Sequence, residues 1–130
     1  MIETCEAVRY PDLVTGVPVL QLTNHSELRS VHGYYDLPPW SRTSFDVVFS
    51  RLAPLASEGD ICVATRTGEN LRTVAHSRFM TSNDGAKAQW SADGSRVFYD
   101  DRDDDGNLCL SWTYVESGET GSVPGAIRMI

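Results

Sequence analysis

A run of carboxylates near the end of the chain has the spacing of a cation-binding loop. Asp101, Asp103 and Asp105 stand at alternate positions and Gly106 comes next, which fits the first half of a calcium loop. Carboxylates in this pattern can wrap a hard cation, and glycine permits the sharp turn. The twelfth position, where such a loop has a bidentate glutamate, holds Trp112. We therefore predict a solvated hairpin tip whose charges discourage edge pairing, with a metal site as the alternative.

A second set of polar side chains comes before two predicted inner strands. His32, Tyr34 and Tyr35 precede the first of these strands, and Ser82 and Asp84 stand 50 residues after His32 and Tyr34. One interpretation places these five residues on a substrate face at the central channel of the fold. The other, which we favour, is that they cap the strands and fill the channel wall, because such His and Tyr side chains are often structural.

No complete catalytic motif is present in the sequence, so the catalytic residues are unknown at this stage. His25 and His76 lie in polar stretches and have no partner in sequence that suggests a triad. The chain has no G-x-S-x-G elbow, no H-E-x-x-H motif and no phosphate-binding glycine loop.

An internal repeat predicts the elements that position these residues. Trp40-Ser41 recurs as Trp90-Ser91, which gives a period of 90 − 40 = 50 residues. The same shift carries residues 47–49 onto 97–99, and a Thr-Gly or Ser-Gly turn recurs at positions 15–16, 67–68 and 117–118. Four aromatic residues that return with the repeat are predicted to pack in the core: Trp40, Trp90, Phe49 and Tyr99.

Each copy of the repeat contains short strands separated by turn residues. In the second copy we predict strands over residues 86–91, 95–100, 107–114 and 122–129, with a hairpin turn at Asp93-Gly94. The first copy lacks that Asp-Gly pair, because Ser41 is followed by Arg42-Thr43-Ser44. No stretch has a helical period.

These strands predict an all-β fold, with four-stranded antiparallel blades of a β-propeller. Residues 1–27 would supply the outer strands of one blade, 31–77 the first full blade and 80–130 the second. A ring takes at least about four blades, or roughly 200 residues at this period. A chain of 130 residues gives about two and a half blades and an incomplete ring. We expect it to need further blades or self-association, because two apolar sheet faces would otherwise meet water.

Composition excludes several classes of partner. The net charge is −7 and the 11 basic residues are scattered, which argues against nucleic acid and against an anionic membrane. No apolar run approaches the ~18 residues of a transmembrane helix, and the acidic first residues are unlike a signal peptide. We therefore expect a cytoplasmic protein. Cys62 and Cys109 are predicted to be small buried side chains at equivalent positions of the two repeats.

The sequence also resembles known propellers. Residues 90–99, Trp-Ser-Ala-Asp-Gly-Ser-Arg-Val-Phe-Tyr, look like the repeat signature of TolB-like propellers. Residues 12–23, which contain a Thr-Gly-Val turn and a Leu-Thr strand end, and the His32-Gly33-Tyr34-Tyr35 segment after them resemble the N-terminal part of oligogalacturonate lyases. Asn83-Asp84-Gly85-Ala86 is similar to the next part of sequences in that family. The resemblance spans most of this chain and about a third of a full family member.

The resemblance implies a role in pectin degradation. Members would cleave uronate oligosaccharides by β-elimination, in which a divalent metal, expected to be Mn, acidifies the proton beside the carboxylate and a basic side chain removes it. In the family the metal sits on a His and Gln cluster of later blades, so the resemblance assigns no metal ligand or base here, and the chain is expected to be inactive alone. The alternative is a non-catalytic TolB-like propeller segment that acts as a protein-interaction module.

Overall fold

A computed structural model describes residues 3–124 of the chain, and all of its regular structure is β. No helix occurs in this range, and hence none that is long and apolar enough to cross a membrane. The strands are β1 Glu3–Thr4, β2 Val8–Pro11, β3 Pro18–Gln21, β4 Arg29–Val31, β5 Val47–Leu52, β6 Gly59–Ala64, β7 Leu71–Ser77, β8 Gln89–Trp90, β9 Arg96–Arg102, β10 Leu108–Tyr114 and β11 Thr120–Pro124.

The strands form three antiparallel sheets. The hairpin β2-β3 stands first, a five-stranded sheet has the order β1-β7-β6-β5-β4, and a four-stranded sheet has the order β11-β10-β9-β8. The second and third sheets each have the strand order of a propeller blade, and the hairpin supplies a partial third layer. The predicted all-β fold of about two and a half blades is therefore confirmed, and the described strands close no ring.

Two predicted boundaries differ from the structure. The sequence predicts Glu3–Thr4 among the outer strands of the preceding blade, but this strand pairs with β7 of the first full blade, Glu3 opposite Arg72. The inner strand of that blade begins at Arg29, two residues before the predicted start. Of the predicted last strand, residues 125–129 lie outside the described range.

The two full blades stack through one apolar interface. Alternate residues of β5 and β6 pack against β9 and the segment before β8 in the second blade. They form a single cluster that contains Val48, Leu52, Ile61, Val63, Ala86, Ala88, Val97 and Tyr99. A second cluster lies on the opposite face of the first blade and contains Phe49, Cys62, Ala64 and Leu71. Neighbouring side chains of a strand point to opposite faces of the sheet. Because consecutive residues of β5 are buried, this strand is covered on both faces.

The two cysteines are buried and free as predicted, but their positions are not equivalent. Cys62 is opposite Phe49, whereas Cys109 is opposite Asp101. The residue opposite Tyr99, the counterpart of Phe49, is Ser111, so Cys109 lies two residues before the position equivalent to that of Cys62. Burial raises the pKa of Cys62 to about 11, so its thiol stays neutral and serves as a small apolar group.

The hairpin turn of the first copy is closed in the structure although its sequence lacks the Asp-Gly pair. Ser41 N–H donates to the carbonyl oxygen of Asp46 at 2.8 Å, and in the second blade Ser91 N–H donates to that of Arg96 at the same distance. The left-handed residue of the first turn is Phe45, with φ of 62°. A non-glycine residue therefore adopts a conformation that usually favours glycine.

A buried ion pair holds the N-terminal segment on the first blade. Both Arg51 guanidinium nitrogens donate to the Glu6 carboxylate, at 2.7 and 2.9 Å, and Arg51 also lies over the Phe49 ring. The hydrogen bond from Arg51 lowers the pKa of Glu6 below its usual value, against an opposing effect of burial. Asn24 N–H donates to the same carboxylate at 2.9 Å, so Glu6 also fixes the chain that leads into the first blade.

Gly85 provides a test of the contact between blades. Its φ is +59°, and a Cβ there would overlap the side chain of Ser50, whose hydroxyl accepts the Ala86 N–H at 2.9 Å. Gly118 has φ of +76° with open space around it. We predict that Gly85→Ala lowers the unfolding free energy by about 3 kcal/mol and Gly118→Ala by about 1 kcal/mol, since only the first adds a clash to backbone strain. Equal losses in urea titrations would contradict this account.

Candidate functional site

The predicted site residues lie on two loops at the inner edge of the blades. The inner strand of the first blade is interrupted: β4 ends at Val31, and pairing with β5 resumes only at the bridge between Trp40 and Val47. His32, Tyr34 and Tyr35 belong to the intervening loop 32–39. Ser82 and Asp84 lie in the loop between β7 and β8. Edge strands β4 and β8 belong to adjacent blades, so the two loops are neighbours.

The structure brings two of the five predicted residues into one cavity. Tyr34 and Asp84 line a space of about 280 Å³ together with Asp36, Leu37 and Lys87, which we call the tyrosine cavity. Tyr34 is 54% exposed, so much of its ring is open to a ligand.

The other three predicted residues do not line this cavity. The Nδ1 atom of His32 lies 2.6 Å from the Gly33 carbonyl oxygen. The Ser82 carbonyl accepts from Arg29 at 3.2 Å. Tyr35 stacks at a tilt beside Tyr34, with ring centroids 4.6 Å apart.

Asp84 and Lys87 give the tyrosine cavity its polar character. The Asp84 backbone N–H donates to Thr81 Oγ1 at 3.3 Å, and its carbonyl accepts the Lys87 N–H at 3.0 Å. The Asp84 Oδ1 atom is buried and has no hydrogen-bond partner among the described residues, although buried oxygens are normally paired. Lys87 has φ of 52°, and such strain tends to occur at functional sites.

A third charged group lies beside this pair. Burial raises the pKa of Asp100, the positive charge of Lys87 opposes that rise, and the negative charge of Asp84 adds to it. The electrostatic field at the cavity is therefore set by one cation among carboxylates.

A second cavity shares part of its lining with the first. It has a volume of about 290 Å³ and is lined by Asp36, Leu37, Pro38, Trp40, Arg42, Gln89, Trp90, Ser91 and Ala92. We call it the tryptophan cavity, and the two cavities together the inner-edge groove. Asp36 and Leu37 line both. The prediction that Trp40 packs in the core is wrong, because its side chain is 51% exposed, whereas Phe49 and Tyr99 are buried as predicted.

The repeat pattern does not reveal most of the charged residues of the groove. Asp36, Arg42 and Lys87 fall at positions where the two copies differ: 36 aligns with Ala86, 42 with Ala92 and 87 with Leu37. A search for recurring landmarks discards such positions. The sequence nevertheless contains a signal for these residues. Where one copy has a polar residue and the aligned position of the other copy has an apolar one, packing alone does not decide the residue type.

The aspartate loop is held by contacts within the protein. Asp103 Oδ1 accepts the N–H groups of Asp105 and Asn107 at 3.0 and 2.9 Å. Asp101 accepts the Arg78 N–H at 2.8 Å and the Ser111 hydroxyl at 3.0 Å. Within residues 3–124, no three His, Cys, Asp or Glu side chains are placed to hold a metal ion. The divalent metal that the resemblance implies thus finds no ligand set in the described part of the chain.

The comparisons with known proteins bear on the fold alone. No protein-family model and no curated protein sequence matches the chain. A solved structure described as an oligogalacturonate lyase in complex with manganese superimposes with a TM-score of 0.66 at 18% sequence identity. The match covers 96% of this chain and 31% of that protein. The chain is therefore similar in fold to that lyase and spans about a third of its length.

The aspartate loop gives a prediction about cations. We expect Ca²⁺ to bind no more tightly than the millimolar range of weak sites, because Asp103 is engaged with backbone N–H groups and the bidentate glutamate is missing. Asp103→Asn keeps an acceptor oxygen and should change the unfolding free energy by less than about 0.5 kcal/mol, whereas Asp103→Ala should cost about 1 kcal/mol. Isothermal titration that finds micromolar Ca²⁺ affinity, lost in Asp103→Asn, would instead assign a metal site.

Proposed function

We propose that this chain forms part of the substrate-binding wall of a propeller that acts on acidic oligosaccharides, as the oligogalacturonate lyase of similar fold does on its own substrate. The observation that carries the proposal is the tyrosine cavity, whose lining combines the Lys87 side chain, Asp84 with its unpaired carboxylate oxygen and an exposed tyrosine ring. The ligand is a uronate oligosaccharide, such as a pectin fragment.

Each group in the tyrosine cavity matches one part of a uronate residue. The Lys87 ammonium pairs with the sugar carboxylate, since charge-assisted hydrogen bonds are the strong ones. The carboxylates of Asp36 and Asp84 accept hydroxyl hydrogens, and Tyr34 offers an apolar face with a polar tip. The chain carries a net charge of −7, so an anionic sugar needs such a local cation to overcome repulsion by the rest of the surface.

The proposal gives binding, but not bond cleavage, to this chain. β-Elimination removes the proton beside the uronate carboxylate and expels the glycosidic oxygen, so it needs a base and an electrophile at one carbon. The described residues contain no metal-ligand cluster, and no histidine lines either cavity of the groove. We expect no lyase activity from this chain alone, even with added Mn²⁺.

One observation favours a second function, that of a protein-interaction module. On β9 and β10 of the second blade, the rings of Phe98, Trp112 and Tyr114 lie around the Arg96 guanidinium at 4.9 to 5.7 Å. The 50-residue shift aligns Phe98 with Val48, which the second blade buries completely. This outer aromatic face is therefore the counterpart of a surface that another sheet covers.

Lys87 is the only lysine in the sequence, which allows a direct test of uronate binding. We expect Lys87→Gln to weaken trigalacturonate binding about tenfold, the loss of one charge-assisted hydrogen bond. Arg66→Gln, in the exposed turn after β6, removes the same charge elsewhere and should change affinity little. Reductive methylation with isotope-labelled formaldehyde also makes Lys87 an NMR probe. Equal losses in both variants, or a Lys87 signal that trigalacturonate does not shift, would refute the assignment.

The outer aromatic face predicts self-association of the isolated chain. Light scattering after size exclusion should give a mass above the 14.4 kDa of the monomer, because an apolar sheet face is costly to leave in water. Phe98→Asp should shift the population toward monomer. Tyr35→Asp, which alters an exposed aromatic residue away from that face, should not. A monodisperse monomer of the unaltered chain would contradict this prediction.

A further inference from the structure

The tryptophan cavity has features that packing does not explain. Trp40 and Trp90 occupy equivalent positions of the repeat, and both contribute to the wall of one open cavity. The Trp90 indole is fixed, because its Nε1–H donates to the Pro39 carbonyl oxygen at 3.1 Å, and it packs on the core between the blades. Trp40 is half exposed. The cavity thus has one anchored indole and one open indole.

Arg42 supplies a positive charge to this cavity. It is exposed, and the described residues offer it neither a hydrogen bond nor an ion pair. The turn that carries it is nevertheless ordered: the Ser41 and Thr43 hydroxyls are 2.9 Å apart, and Gly94 of the second blade packs closely against Thr43. An arginine on a fixed turn loses little backbone freedom when it binds a carboxylate, which favours affinity.

We propose that the tryptophan cavity binds a second uronate residue of the same oligosaccharide, next to the residue in the tyrosine cavity. The inference rests on the proposed function and extends it to a ligand of at least two sugar residues. The indole faces of Trp40 and Trp90 contact the apolar faces of the pyranose ring, and Arg42 pairs with its carboxylate. The Gln89 amide and the shared Asp36 carboxylate bind hydroxyl groups.

The sizes of the two cavities and their shared lining residues support a pair of adjacent sugar residues. Each cavity is close to the lower limit of about 300 Å³ for small-ligand sites, so each holds one ring rather than a large ligand. Because Asp36 and Leu37 line both cavities, the two rings can belong to one glycosidically linked pair. Linked groups bind far more tightly than separate ones when the spacing fits. All of the lining residues come from the two described blades.

The three tryptophan indoles of the chain test the inference without mutation. In a titration of isotope-labelled protein with digalacturonate, we expect the Nε1–H signals of Trp40 and Trp90 to shift and that of Trp112, on the outer aromatic face, to stay. Galacturonic acid as a monomer should shift the Lys87 probe with a smaller effect on Trp40. Digalacturonate that leaves both Trp40 and Trp90 signals in place would overturn the inference.

Variants separate this inference from the proposed function. Arg42→Gln and Trp40→Ala should each weaken digalacturonate binding about tenfold and leave monomer binding nearly unchanged, with Arg66→Gln as the control. Lys87→Gln should weaken the binding of both sugars.

If digalacturonate binds no more tightly than the monomer and Arg42→Gln has no effect, the second subsite is refuted while the uronate site at Lys87 stands. If neither sugar binds, both proposals fail. Should Trp40→Ala not fold, Arg42→Gln and the indole signals of the unaltered protein decide the question.

Discussion

The apolar contact between the two full blades is the constraint on which the rest of the structure depends. Val48 and Leu52 of β5 face Val97 and Tyr99 of the second blade, and all four are buried. Sheets pack face to face at a nearly fixed spacing of about 10 Å, so this contact sets how far apart the inner edges stand. The inner-edge groove spans that gap. A cavity formed in the core would therefore disturb the groove, to which Trp90 connects the core directly.

Polar contacts at the same interface fix the loops that carry the site. Ser50 lies in the buried face of β5 and accepts the Ala86 N–H, which draws the chain beside Gly85 against the first blade. Asp84 and Lys87 flank this short segment. In the other direction, Gly33 is buried against Leu37 and close to the Ala88 carbonyl, so loop 32–39 rests on the second blade. Each loop is thus positioned by the blade to which it does not belong.

The sequence contains enough information for the blades but not for the groove. Strand alternation and the 50-residue repeat depend on local pattern and on burial, and both predict β5, β9 and the burial of Phe49 and Tyr99. The break in the inner strand after Val31 depends on contacts of loop 32–39 with the other blade, which local pattern does not encode. For the same reason the repeat predicts a buried Trp40. Its repeat position is that of a packing residue, but the loop before it leaves the ring half exposed.

Agreement and difference between the two copies of the repeat have distinct physical meanings. Positions where the copies agree, such as 49 and 99, must fill the same space between sheets, and a change in volume there costs stability. The equivalent positions 37 and 87 hold Leu and Lys, so the shape of the blade tolerates either residue. Unlike positions 49 and 99, both of these positions line the groove. A propeller can therefore change its ligand by exchanging residues at the inner edge while the stack of sheets stays intact. By this reasoning the proposed ligand, rather than the packing of the sheets, constrains Lys87 and Arg42, which have apolar counterparts in the other copy.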